Sequence, residues 1–315
     1  MANENLHKAK AAKMDEFYTQ LSDIERELKH YREHFKGKVV YCNCDDPMTS
    51  HFFQYFSLNF KELELKKLIT TCYSGINGNS GSSFCLMYNG EQDGNNMPDF
   101  SYIDIQGLEG DGDFRSPECV ELLKQADIVV TNPPFSLFRE FVDQLVRYEK
   151  QFLIIGNTNA ITYKDVFSLI KEDKLWLGVN DGGTMEFAVP DYYPNPRSGY
   201  RTTENGVRVV KIFARWFTNL DTQKRHEELI LYRTYKDNEQ DYPKYDNYNA
   251  IEVSKIKDIP MDYTGVMGVP ISFLDKYNPN QFAIVKFRKG DDDKDLIING
   301  HYPYFRILVK NKRVY

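Results

Sequence analysis

Asn132 is followed by two prolines and a phenylalanine, and the four residues stand directly after the apolar run Ile128-Val129-Val130-Thr131. Proline has no amide proton and pushes the preceding residue into extended geometry, so Asn132 leaves the strand end rigidly. Its side-chain oxygen and the carbonyl of Pro133 are then two fixed acceptors, because neither proline nitrogen can occupy them. Two such acceptors suit an exocyclic amino group. Accepting both hydrogens draws the nitrogen out of conjugation with its ring and leaves lone-pair density for attack on an electrophilic methyl. Phe135 adds a face on which a planar base can stack. Taken alone, Asn132-Pro133-Pro134-Phe135 is also compatible with a plain rigid turn; its place at the end of an apolar strand favours chemistry.

The elements around this tetrapeptide alternate. A charged helical segment over 23–37 precedes the strand KVVYCN, which ends at Cys44-Asp45-Asp46-Pro47. A helix SHFFQYFSLNF and a strand LKKLITTCYS follow, then a Gly/Ser/Asn-rich loop over 75–83 and two strand-like runs, SFCLMYNG and FSYIDIQG. Ser116 and Pro117 fit the N-cap and first position of a helix, followed by the strand DIVVT, a helix from about Ser136 to Tyr148, the strand QFLIIGN and the helix KDVFSLIKED. Such alternation predicts an α/β fold with a doubly wound parallel sheet and right-handed crossovers. Ligands in these sheets bind at the carboxyl ends of the strands. Those ends carry Asp45 and Asp46, then Asp111 and Asp113, then Asn132. Beyond Lys174 the runs are strand-like, and Trp216 and Phe217 alternate faces in ARWFTNL, where core packing is favoured over base stacking. From about Gln223 the alternation stops and Tyr, Lys and Asp dominate, so the expected division is a catalytic domain over 1–222 and a smaller one over 223–315.

Composition excludes several classes. With 41% hydrophobic and 27% charged residues in 315, the chain reads as globular, and no apolar run approaches the length of a bilayer span. The N-terminus lacks the apolar core of a secretory leader, so a cytoplasmic location is expected. Five cysteines without a CxxC pair and six histidines without HExxH give no reason to expect a metal. The aromatic share, 14%, suits stacked ligands and a well-filled core alike. Although the net charge is −6, Lys286, Arg288, Lys289, Arg306, Lys310, Lys312 and Arg313 form a local basic excess near the C-terminus. That excess fits a held polyanion and, equally, a solubilising face beside the acids Asp291, Asp292, Asp293 and Asp295.

The segments EFYTQ (16–20), VVYCNCDDP (39–47), GDGDFRS (110–116), VVTNPPFSLFRE (129–140) and GVMGVPISFLDKYNP (265–279) together resemble the EcoRI-type DNA adenine-N6 methyltransferases. The resemblance implies a Rossmann-like methyltransferase sheet with a smaller C-terminal target-recognition domain, S-adenosylmethionine as cofactor and double-stranded DNA as partner. It also implies extrusion of the target adenine into the pocket beside Asn132, and restriction-modification protection alongside an endonuclease that shares the site without direct contact. By the same resemblance Phe17, Tyr18 and Thr19 help hold the methionine end of the cofactor, Asp45 and Asp46 stand in the first cofactor loop, Asp113 accepts from the cofactor's adenine and Phe114 packs on that ring. The chain departs from the wider pattern in two places. CDDP contains no glycine-rich loop, and Cys72-Tyr73-Ser74 carries no acid for the ribose. On propensity, Phe17-Tyr18-Thr19 also fits an ordinary helix entry. Rival expectations are a methyltransferase acting on RNA or protein glutamine, which would have little use for a basic second lobe, and a DNA-binding protein that keeps the fold without turnover.

Overall fold

The computed structural model describes residues 17–44, 50–73, 83–91, 103–180, 183–189, 199–203 and 205–314. Its first seven strands are β1 (Tyr18–Thr19), β2 (Val39–Cys42), β3 (Lys67–Thr71), β4 (Phe84–Tyr88), β5 (Asp104–Gly107), β6 (Ile128–Thr131) and β7 (Gln151–Asn157). After β8 (Trp176–Leu177) come β9 (Met185–Ala188), β10 (Arg201–Thr202), β11 (Arg208–Ile212) and β12 (Ala214–Thr218), and then β13 (Ala250–Glu252), β14 (Val266–Pro270), β15 (Phe282–Phe287) and β16 (Arg306–Asn311). The helices are α1 (Leu21–Leu28), α2 (Arg32–Phe35), α3 (His51–Leu58), α4 (Pro117–Gln125), α5 (Phe138–Arg147) and α6 (Lys164–Lys171). The single charged helix expected over 23–37 is thus two, with a turn between Lys29 and Tyr31.

The chain divides into two compact units, the first Met1–Val166 with Gly178–Leu220 and the second Phe167–Leu177 with Asp221–Tyr315. In the first unit the principal sheet runs β5-β4-β3-β2-β6-β7-β12. β3, β2, β6 and β7 are mutually parallel, whereas β4, β5 and β12 join antiparallel. Every residue of β2 and β6 is buried, which explains their unbroken apolar sequences. The antiparallel pairing of β4 and β5 departs from a uniformly parallel sheet, and their sequence shows why. No helical pattern separates SFCLMYNG from the strand before it or from FSYIDIQG, and a parallel return needs a long crossover.

Chain order moves from β2 outward to β3 on one side and then returns to β6 on the other. The strand order therefore reverses between β2 and β6, and in sheets of this kind the carboxyl ends at such a reversal border the ligand crevice. Helices pack this sheet by apolar stripes. In α5, Phe138, Phe141, Val142 and Leu145 are buried at the three- and four-residue spacing of one helix face. Phe138 fills the space over Gly156 of β7, where a Cβ would come within 2.4 Å of its ring, and it also meets Phe217 at 5.0 Å between centroids. Trp216 lies edge-on to Phe52 at 6.0 Å, so both aromatics of ARWFTNL are core residues, as favoured from the sequence. A smaller sheet of order β1-β9-β11-β10 carries β1 in antiparallel register, Tyr18 opposite Ala188 and Thr19 opposite Phe187.

The second unit is built on the sheet β13-β14-β16-β15. Its segment Phe167–Leu177 comes from before the 222/223 boundary read in the sequence, and it is tied in by Phe167 on Phe287, 4.9 Å between centroids. Arg225 lies 3.7 Å from the ring centre of Trp176 and pairs with Asp173.

Candidate active site

Asn132 follows β6 at the crevice and is buried, at 9% exposure. Its amide nitrogen donates to the backbone carbonyl of Phe17 at 2.7 Å. Its oxygen, Oδ1, is buried and has no hydrogen-bond partner among the described residues. A buried acceptor left unmade costs roughly 1–3 kcal/mol, so Oδ1 is a place where a ligand donor gains most. Both following peptide bonds are trans. Pro134 then starts a tight turn in which its carbonyl accepts from Leu137 at 2.9 Å, and this turn brings Phe135 back into the crevice as a buried ring. Phe17, Phe135 and Phe187 form an aromatic cluster with centroid separations of 5.4, 5.6 and 6.3 Å.

A continuous line of polar contacts runs through the crevice. Thr131 donates its hydroxyl to the carbonyl of Asn43, joining the ends of β6 and β2. Asn43 is itself buried, with Oδ1 unpartnered among the described residues. On the other side of Asn132, Phe17 leads into β1, where the Thr19 carbonyl meets His51 Nδ1 at 2.6 Å. A carbonyl only accepts, so Nδ1 carries the proton in that contact. The Thr19 hydroxyl is buried without a partner among the described residues. Tyr18 lies beside it in the same short strand and is half-buried. Asp45 and Asp46 lie outside the described residues.

The 110–113 loop is fixed from both ends. The Glu118 carboxylate accepts from the amides of Glu109 and Gly110 at 2.9 and 2.8 Å, and these bonds lower its pKa. Gly112 has φ +79°, and a Cβ there would lie 2.2 Å from the Cys72 carbonyl, so the loop sits against the end of β3 as only glycine allows. Asp111 accepts from the amide of Asp113 at 3.0 Å. Asp113 in turn holds Arg115 through both oxygens, at 2.9 and 2.7 Å, while Arg115 also reaches Glu140 at 2.7 Å. Hydrogen bonding to Asp113, foremost, raises the Arg115 pKa. Phe114 is buried, edge-on to Phe141 at 5.0 Å and 5.2 Å from the Arg115 guanidinium. Burial pushes the Cys85 thiol up to about 12 and raises Cys119 as well, so neither presents a thiolate near neutral pH. Among the described residues, no group of three His, Cys, Asp or Glu side chains is placed to hold a metal ion.

The basic residues of the second unit separate into two sets. Arg306 is partly buried and already partnered: its guanidinium bonds the buried Glu252 at 2.7, 2.9 and 3.0 Å, and Tyr245 donates to the same carboxylate. Arg288 and Lys289 both meet Asp295, at 3.3 and 2.8 Å, and Lys286 donates to the Gly290 carbonyl at 3.1 Å. Lys310, Lys312 and Arg313 are exposed, with the Lys312 ammonium resting on the Pro279 carbonyl.

A family profile described as adenine-specific methyltransferase EcoRI matches residues 5–312. The chain belongs to that family. It is 56% identical to the type II methyltransferase M.EcoRI of Escherichia coli, over 99% of this chain and 98% of the relative. It is 40% identical to M.MgeORF184P of Mycoplasma genitalium, over 98% and 99% of the two chains. With M.MpnI of Mycoplasma pneumoniae the identity is 42%, over 89% and 84%. No solved structure matches the chain. Within this family member, the crevice gathers Asn132, Phe135, Phe17 and Thr19, residues far apart in sequence. Asn43, Thr131, His51 and Phe187 join them without having been singled out beforehand. Asn43 was accessible to the rule that ligands gather at parallel strand ends; Phe187 had no signal beyond being one aromatic of many.

Proposed function

We propose that this family member transfers a methyl group from S-adenosylmethionine to N6 of an adenine in double-stranded DNA, at a specific site, on a Rossmann-like doubly wound sheet. The observation that carries the reading is the buried Asn132 Oδ1, an oriented acceptor without a partner, beside the Phe135 ring. Asn132 Oδ1 and the Pro133 carbonyl accept the two amino hydrogens of the extruded base. The base stacks on Phe135, and this orientation leaves the nitrogen lone pair aimed along one direction. Pro133 and Pro134 keep both acceptors in place.

The residues present fit the cofactor. The Thr19 hydroxyl and Asn43 Oδ1, buried without a partner among the described residues, are polar atoms in want of a ligand. S-adenosylmethionine held there supplies an electrophilic methyl on a cationic sulfur. Phe17, Tyr18 and Thr19 would hold its amino-acid end and Asp45 and Asp46 the first loop. Asp113 and Phe114 would face its adenine, Asp113 doing so as a carboxylate already held by Arg115. The second unit is the reader of DNA in this proposal, with Lys286, Arg288, Lys289, Lys310, Lys312 and Arg313 as its cations, Arg306 being committed to Glu252. Of these, Lys310, Lys312 and Arg313 are best suited to phosphate contact, because they are exposed. Protection from a cognate endonuclease that shares the site, in the cytoplasm, is the role that fits.

The test is transfer of labelled methyl from S-adenosylmethionine to duplex DNA, followed by nucleoside identification. N6-methyladenine is expected from the wild type. In Asn132→Ala the rate should fall by about 10²–10³ with cofactor affinity kept, the usual cost of one preorganised hydrogen bond at a reacting group. Transfer to RNA or to protein glutamine but not to DNA would overturn the reading.

A further inference from the structure

Resting on the reading of Asn132 as the amino-group acceptor, we propose that the backbone carbonyl of Phe17 is a positioning group: it sets which end of the Asn132 amide faces the substrate. A primary amide has one donating and one accepting end, and rotation by half a turn exchanges them with almost no change in shape. A site that needs an acceptor therefore has to specify the flip. The Phe17 carbonyl does so because it can only accept: with Nδ2 donating to it at 2.7 Å, Oδ1 is forced to the opposite side, where it is buried and unpartnered.

The carbonyl is itself held from three directions. Immediately after it, Tyr18 and Thr19 are paired in register with Ala188 and Phe187 of β9. The Phe17 ring packs against Phe135 and Phe187. The Thr19 carbonyl is bonded to His51 at the start of α3. The strand that presents the orphaned Thr19 hydroxyl is thus the same strand whose lead-in residue orients Asn132. Docking of this segment prepares the acceptor, so occupancy on the Thr19 side and readiness of Asn132 are coupled through one hydrogen bond.

Asn132→Asp separates orientation from acceptance. The carboxylate keeps the shape and an acceptor facing the substrate, yet it brings a second acceptor against the Phe17 carbonyl in place of a donor. The coupling predicts that kcat for methyl transfer to duplex DNA falls by about tenfold or more while the DNA KM stays near wild type and the protein remains folded at the assay temperature. Activity within about twofold of wild type would overturn the proposal, because acceptance alone would then suffice. Should Asn132→Asp fail to fold, replacing the peptide linkage between Phe17 and Tyr18 by an ester weakens the Phe17 carbonyl as an acceptor without touching Asn132. The same selective fall in kcat is expected, with an ester one linkage further along as control, and an unchanged kcat, or an equal fall in the control, overturns the proposal. If the wild type itself methylates no DNA, the functional reading fails. If the wild type is active and Asn132→Ala is dead while Asn132→Asp is fully active, only the positioning role fails.

Discussion

At Asn132 a single side chain carries a satisfied end and an unsatisfied one, and that division is what the surrounding residues are arranged to maintain. The rigid exit of Asn132 from its strand was legible from Asn-Pro-Pro-Phe, because proline's missing proton and fixed torsion act locally. The partner that orients it was not, since Phe17 is 115 positions away and contributes a backbone atom that no side-chain pattern reveals. Gly112 makes a similar point with a sharper test. Its positive φ and the 2.2 Å approach to the Cys72 carbonyl leave no room for a methyl group. Gly112→Ala should therefore destabilise the protein by about 1–3 kcal/mol in urea unfolding, mostly as strain that the surroundings cannot relieve.

Among the elements, the loop between β5 and α4 depends on one carboxylate. Two backbone amides depress the Glu118 pKa below its ordinary value of 4.5, so its contribution to loop order is complete above about that pH and is lost as pH falls through the lowered value. Protection of the Glu109 and Gly110 amides, taken relative to their intrinsic exchange at each pH, should fall on acidification in the wild type and be low and independent of pH in Glu118→Ala. The four parallel strands followed from alternation of apolar runs and helices, whereas the antiparallel β4 and β5 were hidden because composition marks a strand without giving its direction. Burial likewise corrects a reading by charge. Arg306 looks like any cation in the sequence, but it is committed to the buried Glu252, which Tyr245 also bonds. Arg306→Ala should cost about 3–5 kcal/mol of stability, as removal of one member of a buried ion pair does, seen as a lowered unfolding midpoint.

For the whole molecule, a net charge of −6 says little about DNA, because the cations are so unequally available. Lys310 and Arg313 are exposed. Replacing both with Ala should lower the slope of log affinity against log salt by about 2, close to 0.9 per lost phosphate contact, with the folded protein unchanged in stability. Titration of a DNA duplex at several salt concentrations measures this directly. The membership of Phe167–Leu177 in the second unit could not be read from where alternation ceases, since α6 continues the alternating pattern up to that point.

The chain passes from one unit to the other three times, after Val166, Leu177 and Leu220. That path makes the second unit a composite of two separated stretches, with Phe167 against Phe287 and Trp176 beneath Arg225. Chimeras between relatives inherit this arrangement as a constraint: a single crossover near residue 221 would join a C-terminal portion from one parent to an eleven-residue insert from the other. A second unit moved between relatives would keep its own packing only when both stretches travel together.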